Sequence, residues 1–97
     1  MNILLIRQKM KAERVAEVEA GIKRLVPALE QAHLDMHYAW FRLDDGVTYV
    51  VLLEWEGGSN PAANLPEYQA FREILNASSD EPPTTELLTM SGSYRVF

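Results

Sequence analysis

His37 and Glu54 are the two side chains whose types and spacing come closest to acid-base chemistry. They fall opposite each other when the chain is folded back at Asp45-Gly46 as a hairpin. A cross-strand carboxylate would fix the orientation of the imidazole, as a general base requires. The same position near the end of a hairpin also suits an ordinary structural pair, and the sequence favours that simpler interpretation over catalysis.

The same pairing gathers aromatic residues on one face of the hairpin, beside an arginine. A flat aromatic substrate could stack on this face while the guanidinium stabilises an enolate or phenolate. The alternative, which the sequence favours, is core or interface packing with the arginine stacked on an aromatic neighbour. The residues of this face are Tyr38, Trp40, Tyr49, Trp55 and Arg42, with Tyr68 of a later segment as a further candidate base.

The histidines do not predict a metal site. His33 and His37 are four residues apart, a spacing that binds a metal when both residues lie on one helix. Here His33 closes a helix and His37 lies in a strand, with no third ligand at a useful spacing. The absence of cysteine also excludes disulfides, thiolate catalysis and thiolate ligands. We therefore expect neither a metal nor another cofactor.

Hydrophobic periodicity predicts the elements that must position these side chains. Strands are predicted at residues 3–10, 36–43, 47–55 and 84–90, in the order βαββαβ. A helix of about five turns is predicted from Ala12 through Ala32. Pro27 predicts a kink or a break in it, and Gly21 predicts a close approach to the sheet. A second helix is predicted to begin at Pro66 and to stop before the polar segment 76–83.

The dipeptide Asp45-Gly46 predicts a two-residue hairpin with a type I′ turn. Such a turn fixes the register, because it places Tyr38 opposite Leu53 and Arg42 opposite Tyr49. The sequence therefore makes a specific prediction of which side chains share a face of the sheet.

Length and charge limit the class of protein. A chain of 97 residues is the size of one domain, which we expect to span 1–97. A formal charge of −5 argues against sequence-independent nucleic-acid binding, which needs a basic surface. The first residues lack the pattern of a signal peptide and no segment is long enough to span a membrane, so we expect a cytoplasmic protein.

The presence of large apolar residues on both faces of the predicted sheet indicates a homodimer. Two helices can cover one face of a four-stranded sheet, yet both faces of the central hairpin carry large apolar residues. A second copy packed sheet on sheet would cover the other face, and residues 94–97 are expected to extend towards it. The apolar residues are Trp40, Val51, Leu53 and Trp55 on one face, and Phe41, Leu43, Val50 and Leu52 on the other.

The order of elements, the Glu54-Trp55 dipeptide that closes the third strand and the short second helix resemble the dimeric α+β barrel superfamily. Within it they resemble the antibiotic biosynthesis monooxygenase-like domains. The resemblance implies a ferredoxin-like sheet that pairs with a second subunit, and a small pocket between sheet and helices. It also implies oxidation or binding of a small aromatic molecule without metal or flavin. In such a pocket Arg42 would stabilise an anion, His37 or Tyr68 would act as base, and the tryptophans would form the walls.

Two departures from that family matter. Many members have a histidine nine positions after the strand-ending tryptophan, where this chain has Asn64, so Asn64 is a candidate binding residue. Haem-degrading members draw a tryptophan and a histidine from the second helix, and residues 64–75 contain neither. Haem is therefore not expected. A non-catalytic dimeric binding or interaction module of the same fold remains an alternative, as does an isomerase or dehydratase.

Overall fold

Strands and helices alternate in the order βαββαβ in the computed structural model, which describes residues 1–96. This order and the α+β class agree with the sequence prediction, with small shifts at the element boundaries. The strands are β1 (Asn2–Lys9), β2 (Met36–Arg42), β3 (Thr48–Trp55) and β4 (Thr84–Leu88). The helices are α1 (Val15–Gln31), which follows a 3-10 turn at Ala12–Arg14, and α2 (Pro66–Ser78).

The four strands form one antiparallel sheet in the order β2-β3-β1-β4. This is the strand order of a ferredoxin-like fold, with β1 and β3 in the centre and β2 and β4 at the edges. None of the helices formed by residues 1–96 has the length and apolar character needed to cross a lipid bilayer.

The predicted register of the β2–β3 hairpin is confirmed, but the predicted turn type is wrong. Tyr38 pairs with Leu53, as predicted. Among residues 1–96 positive φ outside glycine occurs only at His33 and Arg95, so Asp45 lacks the left-handed conformation that a type I′ turn requires.

A four-residue loop keeps the same register. The amide of Leu43 donates to the carbonyl of Thr48 at 2.8 Å, and the amide of Gly46, at φ 78°, donates to the carbonyl of Leu43 at 3.0 Å. The carboxylate of Asp45 accepts hydrogen bonds from the hydroxyl of Thr48 and from the amides of Thr48 and Val47, and these bonds, that of the hydroxyl first, hold the pKa of Asp45 below its usual range. The side chain of Asp45 thus stabilises the loop, although its backbone does not adopt the conformation of a type I′ turn.

Of the kink or break predicted at Pro27, the break does not occur, since α1 is one continuous helix from Val15 to Gln31, and the kink stays a prediction. Pro27 lies on the exposed side of α1, as does Lys23, whose carbonyl loses its helical partner. Water can satisfy that carbonyl at the surface, so the helix continues.

Gly21 marks the closest approach of the two helices. A Cβ atom built on Gly21 would lie 2.5 Å from Cε1 of Phe71 in α2, well inside van der Waals contact. The prediction that Gly21 approaches the sheet is therefore wrong, and its neighbour is an aromatic ring of the second helix. This contact positions Phe71, which belongs to the buried core.

The two helices cover only one face of the sheet, which we call the helix-facing side. Side chains from α1, α2 and the strands form its main core cluster, and a smaller buried cluster follows along β3. The opposite face, which we call the open side, carries partly exposed apolar residues instead. No strand follows β4 up to residue 96, and the last residue of the predicted 94–97 extension lies outside the described part. The core residues are Met10, Val18, Leu25, Tyr49 and Phe71 in the main cluster, and Val51, Leu53 and Trp55 in the smaller one.

Candidate functional site

A cavity of about 300 Å³ lies between the helix-facing side of the sheet and α2. This volume is at the lower end of the range of roughly 300–1,000 Å³ that is typical of small-molecule sites. Alternating residues of the two central strands form an apolar floor, because every second side chain of a strand points to the same face. The floor consists of Leu4 and Ile6 of β1 and Val51 and Leu53 of β3.

Aromatic rings form the walls of this cavity. The ring of Tyr38 meets those of Trp40 and Tyr68 edge to face, with centroids 6.4 Å apart in both pairs. Trp40 also meets Phe71 edge to face at 5.4 Å. These contacts join β2 to α2 and hold each ring in a fixed orientation, since edge-to-face pairs are a favoured geometry. The walls are therefore preformed for a flat apolar molecule.

Two polar groups of the aromatic walls are desolvated. The indole N–H of Trp40 is buried and has no hydrogen-bond partner of normal geometry within residues 1–96. Burial raises the pKa of the Tyr38 phenol well above its usual range, and an interaction with Trp40 offsets only part of that effect. A buried donor without a partner destabilises the folded state.

One polar residue of the cavity lining is already hydrogen-bonded to another part of the protein. Gln8 is buried, and its amide donates to the hydroxyl of Ser79, which donates to the carbonyl of Leu75 at 2.6 Å. This chain ties β1 to the end of α2 and fixes the side of the cavity that faces β4. Gln8 is thus an anchor of the cavity wall, with one of the two hydrogens of its side-chain amide donated to Ser79.

Exposed residues of α2, of the segment before β4 and of β4 itself mark the mouth of the cavity. Arg72 and Asn76 lie on α2, and Pro83 and Thr85 lie across from them. Asn60, in the loop after β3, lines the cavity as well, and its amide nitrogen lies 3.4 Å from the hydroxyl of Tyr68. None of the lining residues within 1–96 is acidic.

Three of the predicted site residues come together here: Tyr38, Trp40 and Tyr68 all line the cavity. Asn64 does not, because it is exposed in the loop before α2, four residues beyond Asn60. Trp55 belongs to the smaller core cluster and does not line the cavity either. The binding roles predicted for Asn64 and Trp55 stay predictions.

Tyr49 and Arg42 do not line this cavity, although Tyr49 pairs with Gln8 in the sheet and its ring meets that of Trp40 edge to face at 5.7 Å. Tyr49 is buried and its hydroxyl donates to Glu19 of α1 at 2.6 Å. Burial, together with the hydrogen bond and charge of Glu19, raises the pKa of Tyr49 to about 12, while Arg42 acts in the opposite direction. These residues form a polar contact between sheet and α1, and the catalytic role of Arg42 stays a prediction.

His37 and Glu54 pair as predicted, with Nδ1 and Oε2 separated by 2.6 Å. They lie on the open side of the sheet, opposite the cavity. The Glu54 side chain is 7% exposed and that of His37 is 58% exposed. His37 borders a separate depression of about 300 Å³ near the end of α1. The sheet separates His37 from Trp40, so its role as a base stays a prediction.

Asn60, Arg72 and Asn76 line the cavity but were not predicted from the sequence as residues of the site. A signal for the two helical residues was present, since Tyr68, Arg72 and Asn76 follow each other at four-residue intervals and so share a helical face. No comparable signal identifies Asn60, because its position depends on the path of an irregular loop.

Comparison with solved structures gives the same fold. The chain resembles a putative antibiotic biosynthesis monooxygenase from Nitrosomonas europaea, with a TM-score of 0.78, 11% identity, and coverage of 95% of this chain and 100% of that one. It resembles SnoaB, a cofactor-independent oxygenase from Streptomyces nogalater, with a TM-score of 0.73, 18% identity and coverage of 97% and 96%. It also resembles L-rhamnose mutarotase FA22100 from Formosa agariphila, with a TM-score of 0.61, 14% identity and coverage of 98% and 100%.

No family model matches the chain, and no curated protein matches it. The identities to the three solved structures are low, so these similarities show the fold alone. The resemblance inferred from the sequence is confirmed at that level: the chain has the ferredoxin-like fold of antibiotic biosynthesis monooxygenase-like proteins. The mutarotase shares the fold, so the fold does not fix the chemistry.

Proposed function

We propose that this protein binds a small aromatic molecule with an acidic phenol or enol in the cavity beneath α2. We further propose that it oxidises the bound anion with molecular oxygen, without metal or flavin. The observation that carries the proposal is the cavity itself, whose edge-to-face aromatic walls and apolar floor suit a flat molecule of one or two rings. The similarity of fold to a cofactor-independent oxygenase supports the oxidative step.

In this chemistry the substrate supplies the electrons. For a naphthol, the ring anion transfers electrons to O2, a carbon–oxygen bond forms, and loss of water leaves a quinone; one naphthol and one O2 give one naphthoquinone and one water. The protein need only exclude bulk water, orient the ring and stabilise the anion. Tyr38 and Trp40, which meet edge to face, would form one wall against which the ring packs.

Of the predicted catalytic residues, Tyr68 is the one that lines the cavity, and it is the candidate for moving a proton there. His37 and Arg42 do not line it, so the proposal assigns them no step at the ring.

A non-catalytic binding module of the same fold is the second candidate. Within residues 1–96 the cavity lining contains no histidine, lysine or carboxylate that could serve as a general base at neutral pH. An isomerase or dehydratase would need such a base in the same place. The oxidative proposal therefore requires a substrate acidic enough to ionise when it is bound beside hydrogen-bond donors.

A second copy of the chain is proposed to cover the open side. Phe41 is 53% exposed there, and Leu43 and Leu88 are each 36% exposed. Soluble monomers rarely expose large contiguous apolar patches, and packing between two sheets would remove this one from water. The homodimer predicted from the sequence thus remains our proposal for the assembly.

The test combines binding with oxygen consumption. Chelator-treated protein is titrated with 1-naphthol while tryptophan fluorescence is followed, and dissolved oxygen and quinone absorbance are then recorded in the same solution. We expect saturable quenching, and one equivalent of quinone for each O2 consumed, above the rate with heat-denatured protein. Saturable binding without oxygen uptake across a panel of hydroxynaphthalenes would overturn the oxidation and support the binding module. Absence of binding throughout that panel would overturn both.

A further inference from the structure

The roof of the cavity carries a row of polar side chains along one face of α2. Tyr68, Arg72 and Asn76 are separated by four residues each, and all three line the cavity. An α-helix rises about 1.5 Å per residue, so neighbouring members of the row are about 6 Å apart along the axis. We call these three residues the α2 polar row. All three can donate hydrogen bonds.

The floor opposite the row is apolar, as described above for Leu4, Ile6, Val51 and Leu53. The cavity is therefore asymmetric: its floor is hydrocarbon, whereas α2 contributes the donors of the α2 polar row beside the apolar side chains of Phe71 and Leu75. A flat ligand gains most when its ring lies on the floor and its oxygen-bearing edge points to α2, because both its apolar and its polar surfaces are then matched.

The positive charge of Arg72 would make the α2 polar row prefer anionic ligands. Arg72 is the only charged residue among the cavity lining within residues 1–96, and no carboxylate of that part forms an ion pair with it. Arg14 of the same chain, by contrast, pairs with Glu17 at 2.7 Å. The guanidinium at the mouth of the cavity thus has no ion-pair partner among residues 1–96. A guanidinium binds a carboxylate through two parallel hydrogen bonds, which gives it a preference for that geometry.

We propose that the α2 polar row selects an anionic aromatic ligand, and that Arg72 contacts its charged oxygen at the mouth of the cavity. This inference rests on the proposed function, since it specifies the ligand of the same cavity. The chemistry is that of an anionic oxygen on an aromatic ring, whether carboxylate or phenolate. Asn76 and Tyr68 lie one helical turn to either side of Arg72, so they donate to further oxygens along the same edge of the ligand.

Calorimetric titration with two nearly isosteric probes tests the preference. 2-Naphthoate carries the negative charge, and 2-naphthamide has the same ring system without it. We expect the wild-type protein to bind 2-naphthoate about 10- to 100-fold more tightly, which is the range for hydrogen bonds to charged groups. Equal affinities would overturn this inference and leave the aromatic cavity intact. Failure of both probes and of neutral 2-naphthol to bind would instead overturn the proposed function.

Substitutions test whether Arg72 causes the preference for 2-naphthoate over 2-naphthamide. In Arg72→Gln the advantage of 2-naphthoate should fall to a few-fold or less while the affinity for 2-naphthamide is retained. Arg72→Lys keeps the charge without the planar fork and should retain part of the advantage. The control Lys23→Gln removes one exposed positive charge from α1, away from the cavity, and should leave both affinities unchanged. An Arg72→Gln protein with undiminished preference, or a Lys23→Gln protein with an equal loss, would show that general electrostatics act instead.

Discussion

Trp40 and Phe41 are adjacent in β2, yet their environments differ completely. Trp40 meets Tyr38, Tyr49 and Phe71 edge to face beneath the helices. Phe41 points to the open side and is 53% exposed. Both are large aromatic residues in one strand, so their chemical character does not explain the difference. It arises because α1 and α2 cover one face of the sheet and nothing within residues 1–96 forms a second layer on the other.

The two sides of the sheet also differ in whether their buried polar groups have a hydrogen-bonding or ionic partner. On the helix-facing side the indole N–H of Trp40 is buried without a partner, beside a cavity. On the open side the buried carboxylate of Glu54 is paired with His37. We infer that the first side is built to receive a small molecule and the second to receive a protein surface, and each inference gives a distinct mutational prediction.

The largest effect is expected for Trp40→Ala. Removing a large aromatic side chain from a packed environment costs about 3–5 kcal/mol, and the partial exposure of Trp40 places the expected loss near the lower end. Urea unfolding followed by circular dichroism measures the change in free energy. We also expect the variant to lose binding of aromatic probes. A change below about 1 kcal/mol would mean that Trp40 is not part of the core.

Phe41→Glu should affect association and leave the fold intact. A charge within an apolar interface should weaken a dimer by about 2 kcal/mol or more, roughly 30-fold in the dissociation constant. Sedimentation equilibrium at low micromolar concentration should then change from twice the 11.0 kDa chain mass towards the chain mass.

The matched control is Leu87→Glu. Leu87 is 79% exposed but pairs with Leu4, so it belongs to the helix-facing side of the sheet. This variant should remain dimeric. A wild-type protein that sediments as a folded monomer would refute the interface.

A smaller effect is expected for Tyr49→Phe. The substitution removes the hydrogen bond to Glu19 and should cost about 1.5 kcal/mol at pH 8. The pKa of Tyr49 is raised to about 12 in the folded protein, whereas tyrosine in an unfolded chain titrates near 10. The stabilisation is therefore present below about pH 10 and is lost as the pH rises towards 12.

Urea unfolding of both proteins at several pH values measures this difference. The advantage of the wild-type protein over Tyr49→Phe should shrink between pH 10 and 12. The contribution of Tyr38, whose pKa is also raised, is common to both proteins and cancels. An advantage that stays constant up to pH 12 would contradict the assignment.

The sequence predicted the faces of the paired residues in the β2–β3 hairpin correctly but not the composition of the cavity. The pairing of Tyr38 with Leu53 follows from alternation and hairpin register, both of which are local. The lining depends on how α2 is rotated above the sheet, and contacts such as Gly21 with Phe71 set that rotation. For this reason the guanidinium in the lining belongs to Arg72, whereas strand pairing alone suggested Arg42.

The loop after β3 likewise contains a cavity-lining side chain whose position the sequence alone does not predict. The family resemblance predicts a role for Asn64, whereas Asn60 is the asparagine of this loop that lines the cavity. The carboxamide oxygen of Asn60 accepts from the amide of Ala62 at 2.9 Å, and this turn sets the path of the loop. The likelihood of such a turn can be read from the sequence, but the direction in which it aims the side chain cannot.

The most direct test of the central claim uses the two tryptophans of the chain as reporters. Both indole N–H groups are buried and unpartnered within residues 1–96, but Trp40 lines the cavity and Trp55 does not. Their two signals in a nitrogen-15 spectrum, assigned with a Trp55→Phe variant, are followed during titration with 2-naphthoate. The account predicts a saturable shift of the Trp40 signal and little change at Trp55. A shift at Trp55 alone, or at neither tryptophan while binding is detected by calorimetry, would contradict it.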